Sequence, residues 1–329
     1  MALTEEEIVA VPGLLSRWVR LSTGAKAHYV TSGETGPSIV LLHGGLAGSS
    51  GTAGFRYMAP FLGAHGFRVY CPDMPGFGLT DDPYGAYRHG QGAHVDFIQD
   101  FVNAIALDRF HIAGNSMGCV NSAQYTLAHP ERVDSMALIA GSVGDLVPWA
   151  ELLAADTRPA GAKPNLGEFD GSAESMRRMM EAIMLRKEGI GDDLVLMRTL
   201  AANRNLDAYQ QIMGGFWSAV MATNDANEQA RLRTRGRLET MTVPSIYLYG
   251  VEDVLNPVEC GYLQEDRLPN VQFFYPEGTG HQGQTDQPEL HNQVFLEFFR
   301  DGVISAETAR AAGVSGRRPV NPRIVAVDV

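Results

Sequence analysis

A serine between two glycines, Gly114-Asn115-Ser116-Met117-Gly118, follows a short apolar run and precedes a helical pattern. That order predicts a strand, a sharp turn and a helix, which holds a serine hydroxyl out at the C-terminal end of a sheet as a nucleophile. The glycines fit because a Cβ at either flanking position would clash. The bare pattern also arises by chance at turn–helix junctions, so the chemistry depends on the serine's partners. A hydroxyl nucleophile needs a base, the base needs an orienting acid, and the developing oxyanion needs fixed N–H donors.

Each partner has a candidate. Residues 271–275 read as a final strand, followed by Pro276-Glu-Gly278-Thr-Gly280-His281, a flexible loop ending in an imidazole that can accept a proton near neutral pH. His281 is therefore the expected general base. Of the other histidines, His111 lies within a strand, and His65, His129 and His291 read as helix ends or solvated faces. The acid is sought just beyond the apolar strand 245–249, where Gly250-Val-Glu252-Asp253 offers two carboxylates. Asp253 is the choice; Glu252 should point elsewhere, and Asp145, after the preceding strand, competes. For the oxyanion, the loop His43-Gly44-Gly45-Leu46 lets main chain approach a substrate oxygen closely, so the N–H groups of Gly45 and Met117 are the expected donors. A phosphate cradle is the alternative for these glycines, but neither G-x-x-x-x-G-K-[ST] nor G-x-G-x-x-G follows.

The elements that must position these groups alternate along the chain. Strands are expected at 18–22, 26–30, 38–42, 67–71, 110–113, 136–140, 245–249 and 271–275, with helices including 94–106 and 120–129. Continuous apolar runs such as Ser38-Ile-Val-Leu-Leu42 predict strands buried on both faces, hence a mostly parallel sheet with helices on either side. Between 147 and 239 the pattern becomes helical, rich in Met, Arg and Ala, which predicts a lid inserted between the sixth and seventh strands. Its Met176, Met179, Met180, Met184, Met197, Met213 and Met221 suit either an adaptable pocket wall or ordinary helix packing. The expected organisation is a core over 1–146 and 240–301, a cap over 147–239 and an extension over 302–329. The extension holds a short helix near 306–312 and an apolar end that either docks on its own domain or a second subunit, or frays.

Composition narrows the function classes. With 329 residues the chain can bury a large core, and a formal charge of −12 disfavours nonspecific binding to nucleic acid or anionic membrane. Cys71, Cys119 and Cys260 are scattered, predicting neither a disulfide framework nor a zinc site. The acidic N-terminus and the lack of any apolar run near ~20 residues predict a cytoplasmic protein.

Over residues 15–300 the chain resembles the α/β-hydrolase superfamily: Leu-Leu-His-Gly-Gly, Asp-Met-Pro-Gly-Phe-Gly, Gly-Asn-Ser-Met-Gly, Gly-Val-Glu-Asp and Gly-His occur in the order that fold uses. The resemblance implies an α/β-hydrolase fold with a mostly parallel eight-stranded sheet and an inserted helical lid, and Ser116, Asp253, His281 is its triad order. Epoxide hydrolases and haloalkane dehalogenases share the fold but place Asp at the turn, so Ser116 argues against them. The Ser116 motif and Asp193-Leu-Val-Leu-Met-Arg198 are similar to the meta-cleavage product hydrolases, which split a carbon–carbon bond in ring-fission dienoates. That similarity implies that Arg198 holds a substrate carboxylate and that Asn115 is a polar active-site residue; Arg198 reads equally well as a helix-surface cation. Gly44, Leu46 and Gln282 complete the substrate-binding candidates. Gln282 and Gly54 stand where the family commonly carries Trp and Asn, leaving one wall less aromatic and another without a polar contact.

The expectation is thus a serine hydrolase of a small, partly apolar, carboxylate-bearing substrate, without metal or organic cofactor, and compatible with homo-oligomerisation. Carbon–carbon cleavage is the leading reaction. Hydrolysis of an ester, such as a half-ester of an aromatic dicarboxylic acid, and a ligand receptor on the same fold are the alternatives.

Overall fold

A computed structural model of the chain describes residues 8–87, 90–159, 166, 168–206 and 226–326. Eight strands form one sheet: β1 (Leu15–Arg20), β2 (Lys26–Ser32), β3 (Ser38–Leu42), β4 (Arg68–Pro72), β5 (Phe110–Asn115), β6 (Val133–Ile139), β7 (Ser245–Leu248) and β8 (Val271–Phe274). Their spatial order is β1-β2-β4-β3-β5-β6-β7-β8. The pairs β1–β2 and β2–β4 are antiparallel and all others are parallel.

The helices follow the strands in turn. After β3 come α1 (Gly51–Phe55) and α2 (Met58–Ala64), after β4 α3 (Gly90–Ala104), and after β5 α4 (Met117–Ala128). Between β6 and β7 lie α5 (Trp149–Ala155), α6 (Ala173–Ile183), α7 (Asp192–Arg204) and α8 (Ala226–Leu232). Then α9 (Val258–Glu265) precedes β8, and α10 (Gly283–Asp286), α11 (Pro288–Asp301) and α12 (Ala306–Ala311) follow it.

The continuous apolar runs become two cores because successive strand side chains alternate faces. Val40 and Leu42 of β3 pack on one side with Phe97, Phe101, Ile112, Tyr125 and Leu138. Ile39 and Leu41 pack on the other with Phe55, Leu62, Ala113, Phe295 and Phe299. Every residue of β3 is buried, as a central strand covered on both faces must be.

A third cluster joins the inserted helices to the core. Met176, Met179, Met180, Met184 and Met197 are buried with Ile183, Leu194 and Val195 against Ala47 and Ala53, so these five methionines pack the inserted helices on the loop after β3. Met213 and Met221 lie outside the described residues.

The extension docks on its own chain. Ile304, Ala309, Ala312, Ile324 and Val325 are buried in the second core. Gly313 and Ser315 bond along the outer edge of β8, through Tyr275 N–H to Gly313 O at 2.7 Å and Ser315 N–H to Phe273 O at 3.0 Å. An open strand edge would otherwise template pairing with another chain. Arg318 reinforces the cover by donating to the main-chain oxygens of Glu265, Leu268 and Val271.

Ile304 is fully buried at this seam. Ile304→Ala is expected to lower the unfolding free energy by about 2–4 kcal/mol, measured by urea denaturation; an unchanged midpoint would mean that the extension is not docked in solution.

Candidate active site

Sterics make the turn around Ser116. The backbone leaves β5 through Asn115, takes Ser116 into the left-handed region at φ 57° and ψ −115°, and enters α4 at Met117. A non-glycine residue held there is strained and persists only where its surroundings fix it. They do so by close approach. A Cβ on Gly114 would lie 2.0 Å from Gly118 O, one on Gly118 2.0 Å from Leu42 O, and one on Gly141 2.9 Å from Ser116 Cα. The main chain is also tied, with Ser116 N–H donating to Ile139 O at 3.1 Å and Cys119 N–H to Ser116 O at 2.8 Å.

Asp253 and His281 meet in the core. His281 Nδ1 lies 2.8 Å from Asp253 Oδ2, and the two residues are 1% and 3% exposed. Asp253 Oδ1 accepts the amides of Leu255 and Asn256 at 2.8 and 2.9 Å, so the carboxylate is held on both oxygens. Donation of Nδ1–H to Asp253 leaves Nε2 as the proton acceptor. That nitrogen is buried and has no hydrogen-bond partner among the described residues. The competing acids are occupied elsewhere: Asp145 Oδ1 accepts Thr234 N–H at 2.7 Å and Arg235 N–H at 3.1 Å, and Glu252 Oε2 accepts Thr279 N–H at 3.2 Å.

The turn at Ser116 and the loop of His281 are tied through Asn115 rather than by a direct bond. Its Nδ2 donates to Ile139 O and to His281 O, each at 2.9 Å, and its Oδ1 accepts Gln282 Nε2 at 3.2 Å. The residue before the serine therefore grips the main chain of the histidine. Asn115 is 1% exposed, and its amide is engaged by the protein itself.

The loop after β3, the expected oxyanion loop, is held from below. His43 Nδ1 donates to Gly44 O at 2.7 Å while Nε2 accepts Met74 N–H at 3.0 Å, a neutral pattern matched by burial, which lowers its pKa. A Cβ on Gly44 would sit 3.4 Å from Ser116 Cβ, so this loop lies in van der Waals contact with the serine. Gly45 follows, buried. Met117, as the first residue of α4, has an amide with no carbonyl inside its own helix to bond.

Asp73 braces the far end of the same loop. It accepts Gly51 N–H at 2.7 Å and Leu79 N–H at 2.8 Å, and pairs with His28 Nδ1 at 2.7 Å. Burial opposes its ionisation, but His28, His43 and the Leu79 amide outweigh that and hold the carboxyl below its ordinary pKa.

Arg198 is not a surface cation. It is 2% exposed, and its Nη2 donates to Ala47 O at 2.8 Å and reaches Ser49 Oγ at 3.3 Å. A Cβ on Gly48 would lie 2.1 Å from Arg198 O, so α7 packs directly on the oxyanion loop. Leu46 is half-buried against the methionine cluster. Three contributors have no sequence expectation: Asp73, Asp286, and Gln284, whose Nε2 lies 3.3 Å from Gly54 O and 3.4 Å from Gln282 Oε1. Asp73 lay inside a motif that marks the fold, while Gln284 and Asp286 had only their nearness to His281 as a signal.

A profile of the alpha/beta hydrolase fold matches residues 37–288. The chain is 26% identical over 293 residues to 2-hydroxy-6-oxononadienedioate/2-hydroxy-6-oxononatrienedioate hydrolase 2 of Pseudomonas putida, covering 87% of this chain and 96% of that one. It superposes on the 2-hydroxy-6-oxo-6-phenylhexa-2,4-dienoate hydrolase of Rhodococcus sp. strain RHA1 with a TM-score of 0.68 at 21% identity, over 87% and 99% of the chains. A carboxylesterase from Bacillus subtilis superposes at 0.61 with 21% identity, over 88% and 92%. These two superpositions show the fold. None of the described helices is long and apolar enough to cross a membrane.

Two buried imidazoles near the site give a pH signature. His94 is on α3, and His291, expected at a helix end or on a solvated face, lies in the first turn of α11 but is fully buried, its Nε2 2.4 Å from where a Cβ on Gly283 would be. Burial pushes both down to about 4 from the ordinary 6.5. The unfolded chain then binds more protons than the folded one between those values, so stability is expected to fall as pH drops from 6.5 towards 4. Urea melts of the wild type and of His94→Gln between pH 6.5 and 5, above most carboxylate titration, test this; equal slopes would contradict it.

Proposed function

The chain belongs to the α/β-hydrolase fold family, and within it we propose that it is a serine-dependent hydrolase of a small carboxylate-bearing substrate, cleaving a carbon–carbon bond in a ring-fission dienoate. The observation that carries the reading is the buried Asp253–His281 pair, fastened through Asn115 to the turn that holds Ser116. The substrate class is supported by the name of the Pseudomonas putida relative and by Arg198, whose planar fork matches a carboxylate.

The roles follow from the groups. The enol substrate becomes a ketone, and Ser116, or a water it helps to activate, attacks the carbonyl as His281 Nε2 takes the proton. Asp253 stabilises the resulting imidazolium. The oxyanion is received by Gly45 N–H and Met117 N–H, where each donor is worth about 2.7–4 kcal/mol. The C–C bond breaks as the departing carbanion, stabilised as a dienolate, takes the proton back from His281; where Ser116 attacked, water then hydrolyses the acyl-enzyme, and where water attacked, the acid leaves directly.

Ester hydrolysis uses the same groups. Gln282 favours it as a second reading, because an amide lying against Asn115 gives that wall hydrogen-bonding character in place of an aromatic face.

Purified protein offered a ring-fission dienoate beside an aryl half-ester distinguishes the two. Ser116→Ala and His281→Ala are each expected to lower kcat about 10³-fold or more on the better substrate; retained turnover in either would overturn the serine mechanism. Arg198→Ala is expected to raise KM about tenfold or more for acidic substrates relative to a matched neutral ester. Equal weakening of both would remove its anion-binding role.

A further inference from the structure

We infer that Asp286 is a positioning residue for His281, and that it acts by clamping the inserted helical segment onto the loop that carries the base. The inference rests on His281 being the base proposed above.

Asp286 ends α10 and is 1% exposed. Its two oxygens serve different parts of the chain. Oδ2 accepts the N–H of Gly280, the residue before His281, at 2.9 Å, and Oδ1 accepts the N–H of Arg186, between α6 and α7, at 3.0 Å. One carboxylate thus joins the base loop to the inserted segment, and it is anchored by its own amide, which donates to Gln282 O at 2.8 Å.

Packing leaves this seam little slack. A Cβ on Gly280 would lie 3.0 Å from Asp286 Oδ2 and 3.3 Å from Leu185 Cβ, so glycine lets the inserted segment reach the base loop. The next turn of that segment has its own tie, Arg56 Nη2 to Gly189 O at 3.0 Å.

The charge state of the clamp matters to its geometry. A carboxylate can accept both N–H groups, whereas an amide of the same shape accepts one and turns a donor towards the other. Asp286→Asn therefore removes one half of the clamp while preserving its volume. Gly280 or Arg186 loses its acceptor, and His281 is freed to drift from Ser116. A misplacement of ~1 Å in a catalytic group is enough to slow reaction by orders of magnitude.

The test measures amide hydrogen exchange and the rate of Ser116 phosphonylation by a small fluorophosphonate in the full-length protein. In Asp286→Asn, exchange at Gly280 and Arg186 is expected to quicken about tenfold or more, and phosphonylation to slow about tenfold or more, with the melting temperature nearly unchanged. Gly280→Ala, which wedges a methyl into the seam with Asp286 intact, is expected to slow phosphonylation too and serves if the asparagine variant does not fold. Arg56→Met, which breaks that other tie together with the arginine's bonds to Ala53 O and Tyr57 Oη but leaves the Asp286 clamp whole, should leave the phosphonylation rate within about twofold of wild type. Wild-type phosphonylation and exchange in Asp286→Asn would overturn the inference. Wild-type protein that is not phosphonylated at Ser116 would overturn the serine-hydrolase reading on which it rests, whereas the exchange result reads Asp286 independently of that.

Discussion

A carboxylate taken out of water is costly unless its oxygens are bonded, and an imidazole can use such a group only if both are held still. The Asp253–His281 contact meets both conditions. Two main-chain amides hold Asp253 Oδ1, the imidazole holds Oδ2, and neither side chain is appreciably exposed. With Nδ1–H committed there, His281 presents Nε2 as a buried acceptor without a partner among the described residues. In the proposed mechanism this atom takes the proton of Ser116, and the loops around it are tied to the Ser116 turn through Asn115.

Delivery depends on close approach of main chain at a few glycines. Gly114 and Gly118 let β5, β3 and α4 converge, so that Ser116 can occupy its strained conformation, and Gly141 lets the chain after β6 pass against the serine main chain. The histidine loop is secured from two sides, by Asn115 from the sheet and by Asp286 from α10. The inserted helices rest on the same loops, through Arg198 at Ala47 and Ser49 and through the methionine cluster at Ala47 and Ala53. Core, Ser116 turn and inserted segment therefore share their supports, and a change at one is felt at the others.

Much of this was legible in the residues because burial on both faces leaves continuous apolar runs. The bounds of β3 match the expected 38–42 for that reason, and β5, β7 and β8 differ by only a residue or two. The strand β1 begins at Leu15 rather than 18, since an edge strand with alternating exposure carries no such run. Helix α3 begins at Gly90 rather than 94, because Gly90 and Gly92 read as breakers in isolation. The turn at Ser116 was readable because its steric demand admits only small neighbours. Arg198 was not, since its placement depends on which face of α7 docks, and a periodic pattern with Met and Leu around it leaves that open. The bracing by Asp73 and Asp286 joins residues far apart in the chain, and no local pattern encodes a carboxylate that bonds distant amides.

The most direct measurement is a crystal structure of the protein after reaction with a fluorophosphonate. The account predicts a covalent bond from phosphorus to Ser116 Oγ, the phosphonyl oxygen within hydrogen-bond distance of the Gly45 and Met117 amides, and His281 Nε2 turned to the adduct with Nδ1 still on Asp253. An adduct on another residue, or one at Ser116 whose phosphonyl oxygen lies away from both amides, would contradict it.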